Sequence, residues 1–163
     1  MKTVIFPGSF DPITNGHLDL LTRVARLADR IIIAVAKNES KHTFFDLQER
    51  CDLLMDATQH IDGVEVLSFS GLLVDLARQQ QAEALIRGIR GASDADYEIQ
   101  LAQVNKALNP QLETILLAAN GHCGFISSTV VKEVFKHGGD ISKLAPLCVQ
   151  KALIKKQNKK CQP

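Results

Sequence analysis

Residues 31–36 read Ile-Ile-Ile-Ala-Val-Ala. A strand with one wet face alternates apolar and polar side chains. This run does not, so both its faces must be covered, as in a parallel sheet flanked by helices. Working outward, four more apolar runs read as strands: Thr3–Phe6, Val64–Phe69, Ala84–Ile86 and Thr114–Ala118. The mixed Val64–Phe69 run suits a position nearer an edge. Helical patterns fill the gaps. Leu18, Leu21, Val24, Ala25 and Ala28 make one stripe over Leu18–Ala28. Asp46 and Glu49 form a capping box opening a helix that buries Leu47, Cys51, Leu54 and Met55. Leu72–Gln80 and Asp94–Leu108 follow. Ser128 is placed to cap a fifth helix, with Val130, Val131, Val134 and Phe135 inward and Gly138-Gly139 at its end. A last helix starts near Pro146. Strict alternation of strand and helix implies right-handed crossovers. The expected fold is α/β: a doubly wound, Rossmann-like, five-stranded parallel sheet with helices on both faces. No repeat or linker interrupts it, so a single domain is expected over residues 1–157, with residues 158–163 as a frayed basic tail.

The totals narrow the function. Of 163 residues, 45% are apolar and 23% charged, and the net charge is +1. A general nucleic-acid or membrane-surface binder carries a basic face that this balance does not suggest. The cysteines, Cys51, Cys123, Cys148 and Cys161, include no C-x-x-C pair, and no histidine stands at zinc-finger spacing. With no secretory signal or membrane-spanning run, reduced thiols and a cytoplasmic location are expected.

Open parallel sheets bind ligands outside the carboxyl ends of their strands. After the first strand comes Pro7-Gly8-Ser9-Phe10-Asp11-Pro12-Ile13-Thr14-Asn15-Gly16-His17. It is neither a dinucleotide fingerprint nor a P-loop. Gly8 and Ser9 can bring a backbone N–H and a hydroxyl to an anion, and Gly16 and His17 stand in the first turn of a helix, where anions are favoured. A plain loop capped by Thr14 or Asn15 is the alternative. After the second strand, Lys37, Lys41 and His42 lie on a polar loop able to cover a site, though a solvated lysine is the commoner case. After the fourth, Arg87 and Arg90 crowd one edge; either an anion or a salt bridge to Asp94, Asp96 or Glu98 neutralises them. After the fifth, Ser127, Ser128 and Thr129 supply either a second anion-binding helix start or one cap and two spare hydroxyls. Four segments thus bring phosphate-friendly groups to one edge, and no Ser-His-Asp order points to a covalent hydrolytic intermediate.

Thr14-Asn15-Gly16-His17 resembles the (H/T)-x-G-H motif of the nucleotidyltransferase superfamily, and Ile126-Ser127-Ser128-Thr129 resembles its I-S-S-(S/T) motif. The strings PGSFDPITNGH, LIRGIRG, DYEIQLAQVN and FISSTVVKEV are similar to the bacterial phosphopantetheine adenylyltransferase family, from about Val4 to Leu153. The resemblance implies transfer of the adenylyl group of ATP to 4′-phosphopantetheine with Mg²⁺, held mainly by phosphate oxygens and water, in a cytoplasmic homohexamer. It implies that His17 binds the ATP phosphates and stabilises the pentavalent transition state. Ser9, where the family usually has Thr, would contact the transferring phosphate. Lys41 and Arg87 would bind substrate phosphates. Phe10, Gly88, Ile89, Arg90, Glu98 and Cys123, Gly124, Phe125, Ile126, Ser127, Ser128 and Thr129 would line the ATP site, and Leu73 would touch the pantetheine arm. Ala95, Asp96 and His122-Cys123-Gly124 depart from the family pattern, the last replacing a more aromatic approach to the second motif. The chemistry is consistent: a substrate phosphate is already mostly dianionic near neutral pH, its second pKa being about 6, so no general base is required. Another acceptor on the same fold, or a non-catalytic nucleotide-binding module, are the competing readings.

Overall fold

The run at 31–36 forms β2 (Arg30–Ala36), and its side chains alternate between two cores. The computed structural model describes residues 2–37 and 42–160. Around β2 lie β1 (Thr3–Gly8), α1 (Asn15–Val24), α2 (Leu47–Thr58), β3 (Val64–Phe69), α3 (Leu73–Gln79), β4 (Ala84–Ile89), α4 (Ala92–Leu108), β5 (Glu113–Ala118), α5 (Ser128–Lys136) and α6 (Leu147–Lys160). Ile31, Ile33 and Val35 join the larger core with Leu21, Leu54, Val131 and Leu153, contributed by α1, α2, α5 and α6. Ile32 and Ala34 join the smaller one with Val74, Leu76 and Ala77 of α3. Burial on both faces is the reason the strand carries no polar alternation.

The sheet is parallel throughout, in the order β3-β2-β1-β4-β5. The chain steps outward from β1 to β3, then returns to the far side of β1 for β4 and β5. Strand order therefore reverses between β1 and β4, and a crevice opens at their carboxyl ends. β3 is an edge strand, as its mixed sequence suggests. Both strands flanking the crevice run past their expected ends. Pairing continues at Pro7 and Gly8 in β1, and at Arg87, Gly88 and Ile89 in β4, because the ladders to β2 and β5 hold residues that look turn-like in sequence.

Several local expectations change. α1 begins at Asn15, capped by Thr14, rather than at Leu18. α2 has the Asp46–Glu49 capping box, but Met55 is 49% exposed and Arg50, 4% exposed, takes the inward position. Arg50 lies one turn from Leu54 on the buried face, whereas Met55 falls outside it. Ser127, not Ser128, caps α5, and Val130 is partly exposed. α6 carries the chain to Lys160, so the boundary expected at 157 falls inside a helix; residues 161–163 lie outside the described residues. No helix among the described residues is long and apolar enough to cross a membrane.

Ile33, fully buried on the interior strand β2, and Met55 give opposite expectations. Ile33→Ala should cost about 2–5 kcal/mol in urea unfolding, through lost burial and a residual cavity. Met55→Ala should stay within about 0.5 kcal/mol. A large loss at Met55 would mean that the outer face of α2 is covered.

Candidate active site

A cavity of about 380 Å³ opens at the crevice between β1 and β4. Ser9, Phe10 and His17 reach it from the segment after β1, and Arg87, Gly88, Arg90 and Glu98 from the end of β4 and α4. Cys123, Ile126, Ser127, Ser128 and Thr129 close it from the turn before α5. The sequence segments that looked phosphate-friendly are thus brought together. Ile89, Gly124 and Phe125 do not line the cavity, and Phe125 is 63% exposed. Lys41 lies outside the described residues; His42 and Thr43 do line the cavity. Leu73 lines a smaller cavity of about 220 Å³, with Leu101, Ala102, Asn105 and Thr114, which shares Arg87 and Glu98 with the first.

The start of α1 explains the loop that precedes it. His17 occupies the third helical position, and the Thr14 hydroxyl accepts from its backbone N–H at 3.3 Å. The Thr14 backbone N–H in turn donates to His17 Nδ1 at 3.1 Å. The histidine does what a glutamate ordinarily does in a capping box. A backbone N–H can only donate, so Nδ1 is an acceptor and the neutral ring carries its proton on Nε2. Phe10 stands edge-on to the imidazole with centroids 5.2 Å apart, and Phe6 at 6.4 Å, so the ring is held from two further sides. Burial, and then the positive charge of Arg90, push its pKa down to about 4. His17 is therefore a neutral, oriented N–H donor at the cavity wall.

Phe10 itself sits at φ 47°, a left-handed conformation uncommon for a bulky side chain, with its ring buried. Gly8 is required beneath it: a Cβ there would stand 2.9 Å from the Phe10 ring. Two buried charges fasten this strained segment. Arg50 donates to the carbonyls of Ser9 at 2.7 Å and Ala36 at 3.3 Å. Asp11 accepts from the N–H groups of Phe44 and Phe45 and pairs with Lys132 at 2.9 Å. Burial alone would raise the Asp11 pKa, but Lys132 and the two N–H donors outweigh it and hold the carboxyl below its ordinary range.

Ser127 accepts from the Val130 N–H at 3.1 Å, and the Ser128 hydroxyl donates to the Pro12 carbonyl at 2.7 Å. That bond ties the start of α5 to the loop before α1, so both helix N-termini meet at one cavity. Lys132 and Asp11 were missed by sequence reading. Lys132 carried a usable signal, since it stands one helical turn after Ser128. Arg50 carried none, as an arginine in an amphipathic helix reads as solvated.

Arg87 donates from Nε and a terminal nitrogen to the two oxygens of Glu98, at 2.6 and 2.5 Å, and to the Pro7 carbonyl at 2.9 Å. Arg90 pairs with Asp94 at 2.8 Å, which holds that carboxyl below its usual range. The salt-bridge alternative is realised for both arginines, with Glu98 and Asp94 as partners and Asp96 in neither pair. Both guanidinium groups remain on the cavity wall.

A parallel sheet with a switch-point cavity and two convergent helix N-termini defines a doubly wound, Rossmann-like α/β protein with a cavity suited to anions. Residues 5–134 match the cytidylyltransferase-like family, and the chain belongs to it. Within that family it is 67% identical over 158 residues to the phosphopantetheine adenylyltransferase of Psychromonas ingrahamii, spanning 97% of this chain and 98% of that one. Two solved structures share the fold. One is assigned as a nicotinate-nucleotide adenylyltransferase from Vibrio parahaemolyticus, with TM-score 0.71 and 18% identity over 94% of this chain and 99% of that one. The other is the lipopolysaccharide core biosynthesis protein from Thermoplasma volcanium GSS1, with TM-score 0.55 and 20% identity over 74% and 98%.

The state of His17 is directly measurable. Nitrogen-15 NMR of the imidazole should show the Nε2–H tautomer, unchanged from pH 8 to pH 5. Because the folded pKa lies below the ordinary 6.5, the unfolded chain takes up a proton that the folded chain refuses. The His17 contribution to stability is complete above pH 6.5 and is lost as pH falls toward 4. His17→Gln should flatten the stability–pH slope in that window; an unchanged slope would refute the depressed pKa.

Proposed function

We propose that this chain transfers the adenylyl group of ATP to 4′-phosphopantetheine, giving dephospho-coenzyme A and pyrophosphate. One observation carries the reading: the starts of α1 and α5, with His17, Ser127, Ser128 and Thr129, line the same cavity as Arg87 and Arg90. Helix termini, guanidinium groups and an oriented imidazole are what two anionic substrates and a charged transition state need. The choice of acceptor is supported by the 67% identical relative and by the smaller, Leu73-lined cavity that meets the first at Arg87.

In this reading the acceptor phosphate, a dianion, attacks the α-phosphorus in line and pyrophosphate leaves, with no covalent enzyme intermediate. His17 Nε2–H donates to the oxygens that gain charge in the transition state. Ser9, Lys41 and Arg87 bind phosphate groups of the two substrates. Phe10, Gly88, Ile89, Arg90, Glu98 and residues 123–129 are assigned to ATP, and Leu73 to the pantetheine arm. Among the described residues on the cavity wall, the carboxylates Asp11 and Glu98 are already engaged by Lys132 and Arg87. That donor set fits Mg²⁺ carried on the nucleotide phosphates with water, not caged by side chains. When bound, the ion neutralises phosphate charge.

A cytoplasmic homohexamer is part of the same reading. Tyr97, Val104 and Leu108 are exposed on α4 at a spacing that places them on one face, which is consistent with self-association. Light scattering should give six times the 17.9 kDa chain; a monomer at assay concentration would overturn the hexamer.

The decisive assay is pyrophosphate release. ATP with 4′-phosphopantetheine should give turnover, and nicotinate mononucleotide should not. His17→Ala should lower turnover by roughly 10²–10³-fold, the scale for one preorganised donor. ATP affinity should change far less, because the ground-state contacts remain. Arg87→Lys should lose activity, since a point charge does not replace the fork. Nucleotide binding without turnover on any acceptor would make the chain a binding module. An adenylyl group trapped on His17 would refute the direct transfer.

A further inference from the structure

Asp19 in α1 faces the turn that joins β5 to α5. One of its carboxylate oxygens accepts from the Asn120 side-chain amide at 2.6 Å, and the other from Arg23 at 3.2 Å. His122 and Cys123 follow Asn120 on that turn. A carboxylate oxygen of Asp19, a ring nitrogen of His122 and the sulfur of Cys123 lie within 4.8 Å of one another. Cys123 is buried and lines the nucleotide cavity, whereas His122 is exposed. Among the described residues, neither the thiol nor the imidazole has a hydrogen-bond partner.

We propose that Asp19, His122 and Cys123 form a binding site for a thiophilic divalent cation, of which zinc fits best, at the rim of the nucleotide cavity. A thiolate, an imidazole and a carboxylate are the ligand types of zinc, while magnesium and calcium take oxygen. Tetrahedral zinc, with bonds of about 2.0–2.3 Å, sets its ligand atoms roughly 3.3–3.8 Å apart. With all three ligand atoms within 4.8 Å of one another, the cluster reaches that spacing by closing at most about 1–1.5 Å, shared between the exposed His122 side chain and the Asp19 carboxylate. Asn120 already orients the Asp19 carboxylate, as an outer-shell partner does. On binding, Cys123 gives up its thiol proton to solvent and water completes the coordination. Arg23 beside Asp19 opposes the cation, so affinity falls below that of a closed four-ligand site. The bound ion cross-links α1 to the turn leading into Ser127 and so restrains one wall of the cavity. The site stands on geometry and ligand chemistry alone, independent of which reaction the cavity serves.

Cobalt tests this without an activity assay. The chelator-stripped full chain, titrated with Co²⁺, should develop a thiolate-to-cobalt charge-transfer band that saturates at one equivalent. Zinc, but not magnesium, should abolish it. Cys123→Ser, nearly isosteric, should remove the band. His122→Ala, at an exposed position that folding tolerates, should weaken cobalt binding by at least about tenfold. Absence of the band in the native chain, its survival in Cys123→Ser, or unchanged affinity in His122→Ala would each overturn the proposal.

Discussion

The N–H of Thr14 donating to Nδ1 of His17 is the bond on which the site depends. It completes a helix cap, satisfies a backbone donor, selects the tautomer and turns the Nε2 edge away from the backbone. A glutamate at that position would cap equally well but would set a negative charge among phosphates. Histidine serves both needs only while it stays neutral. Burial and the nearby Arg90 guarantee that, by holding its pKa near 4. The structural demand of the helix and the electrostatic demand of the cavity are met by one side chain.

The segment between β1 and α1 is anchored in the larger core by Phe10 and Ile13, but its polar backbone needs partners of its own. Phe10 is in a left-handed conformation and Gly8 lies beneath its ring. Buried charges supply those partners. Arg50 grips the Ser9 carbonyl from α2, and Asp11 joins Phe44, Phe45 and Lys132 from two different parts of the chain. An isolated buried charge is costly, but each of these meets several partners, so the cost is offset while the geometry is specified. Removing one partner leaves the other exposed to that penalty. The loop between β1 and α1 is thereby specified in one geometry.

The sheet was legible because its cause is local: Ile31–Ala36 has no polar face, and the runs around it alternate with helical stripes. The strand order was not legible, because no residue encodes which side of β1 receives β4. The candidate anion-binding segments are readable as turn chemistry and paired arginines at strand ends. Their convergence followed from the parallel fold, which puts every such segment at one edge. Partners across the chain were harder. Lys132 meets Asp11 and Arg50 meets Ser9 through contacts of high sequence separation, and neither pairing leaves a periodic trace. Ser128 looks like the cap in sequence because it opens the helical pattern; the bond it makes instead, to Pro12, exists only once α1 and α5 are side by side.

Arg87 and Arg90 reach the cavity wall already paired, which bears on how the proposed adenylyl transfer would use them. Each is paired with a carboxylate, so its charge is partly neutralised before any phosphate arrives. In the proposed reaction a substrate phosphate would gain less from these arginines than from free ones, since it would share them with Glu98 and Asp94. The pairs also fix the guanidinium planes, which removes the entropy of ordering them during reaction. The pairing would thus moderate binding of both states while keeping the geometry fixed. Charge that develops in the transition state then meets donors already in place. For a reaction in which the nucleophile and the leaving group are both anions, donors held in place before the charge develops would be the source of rate.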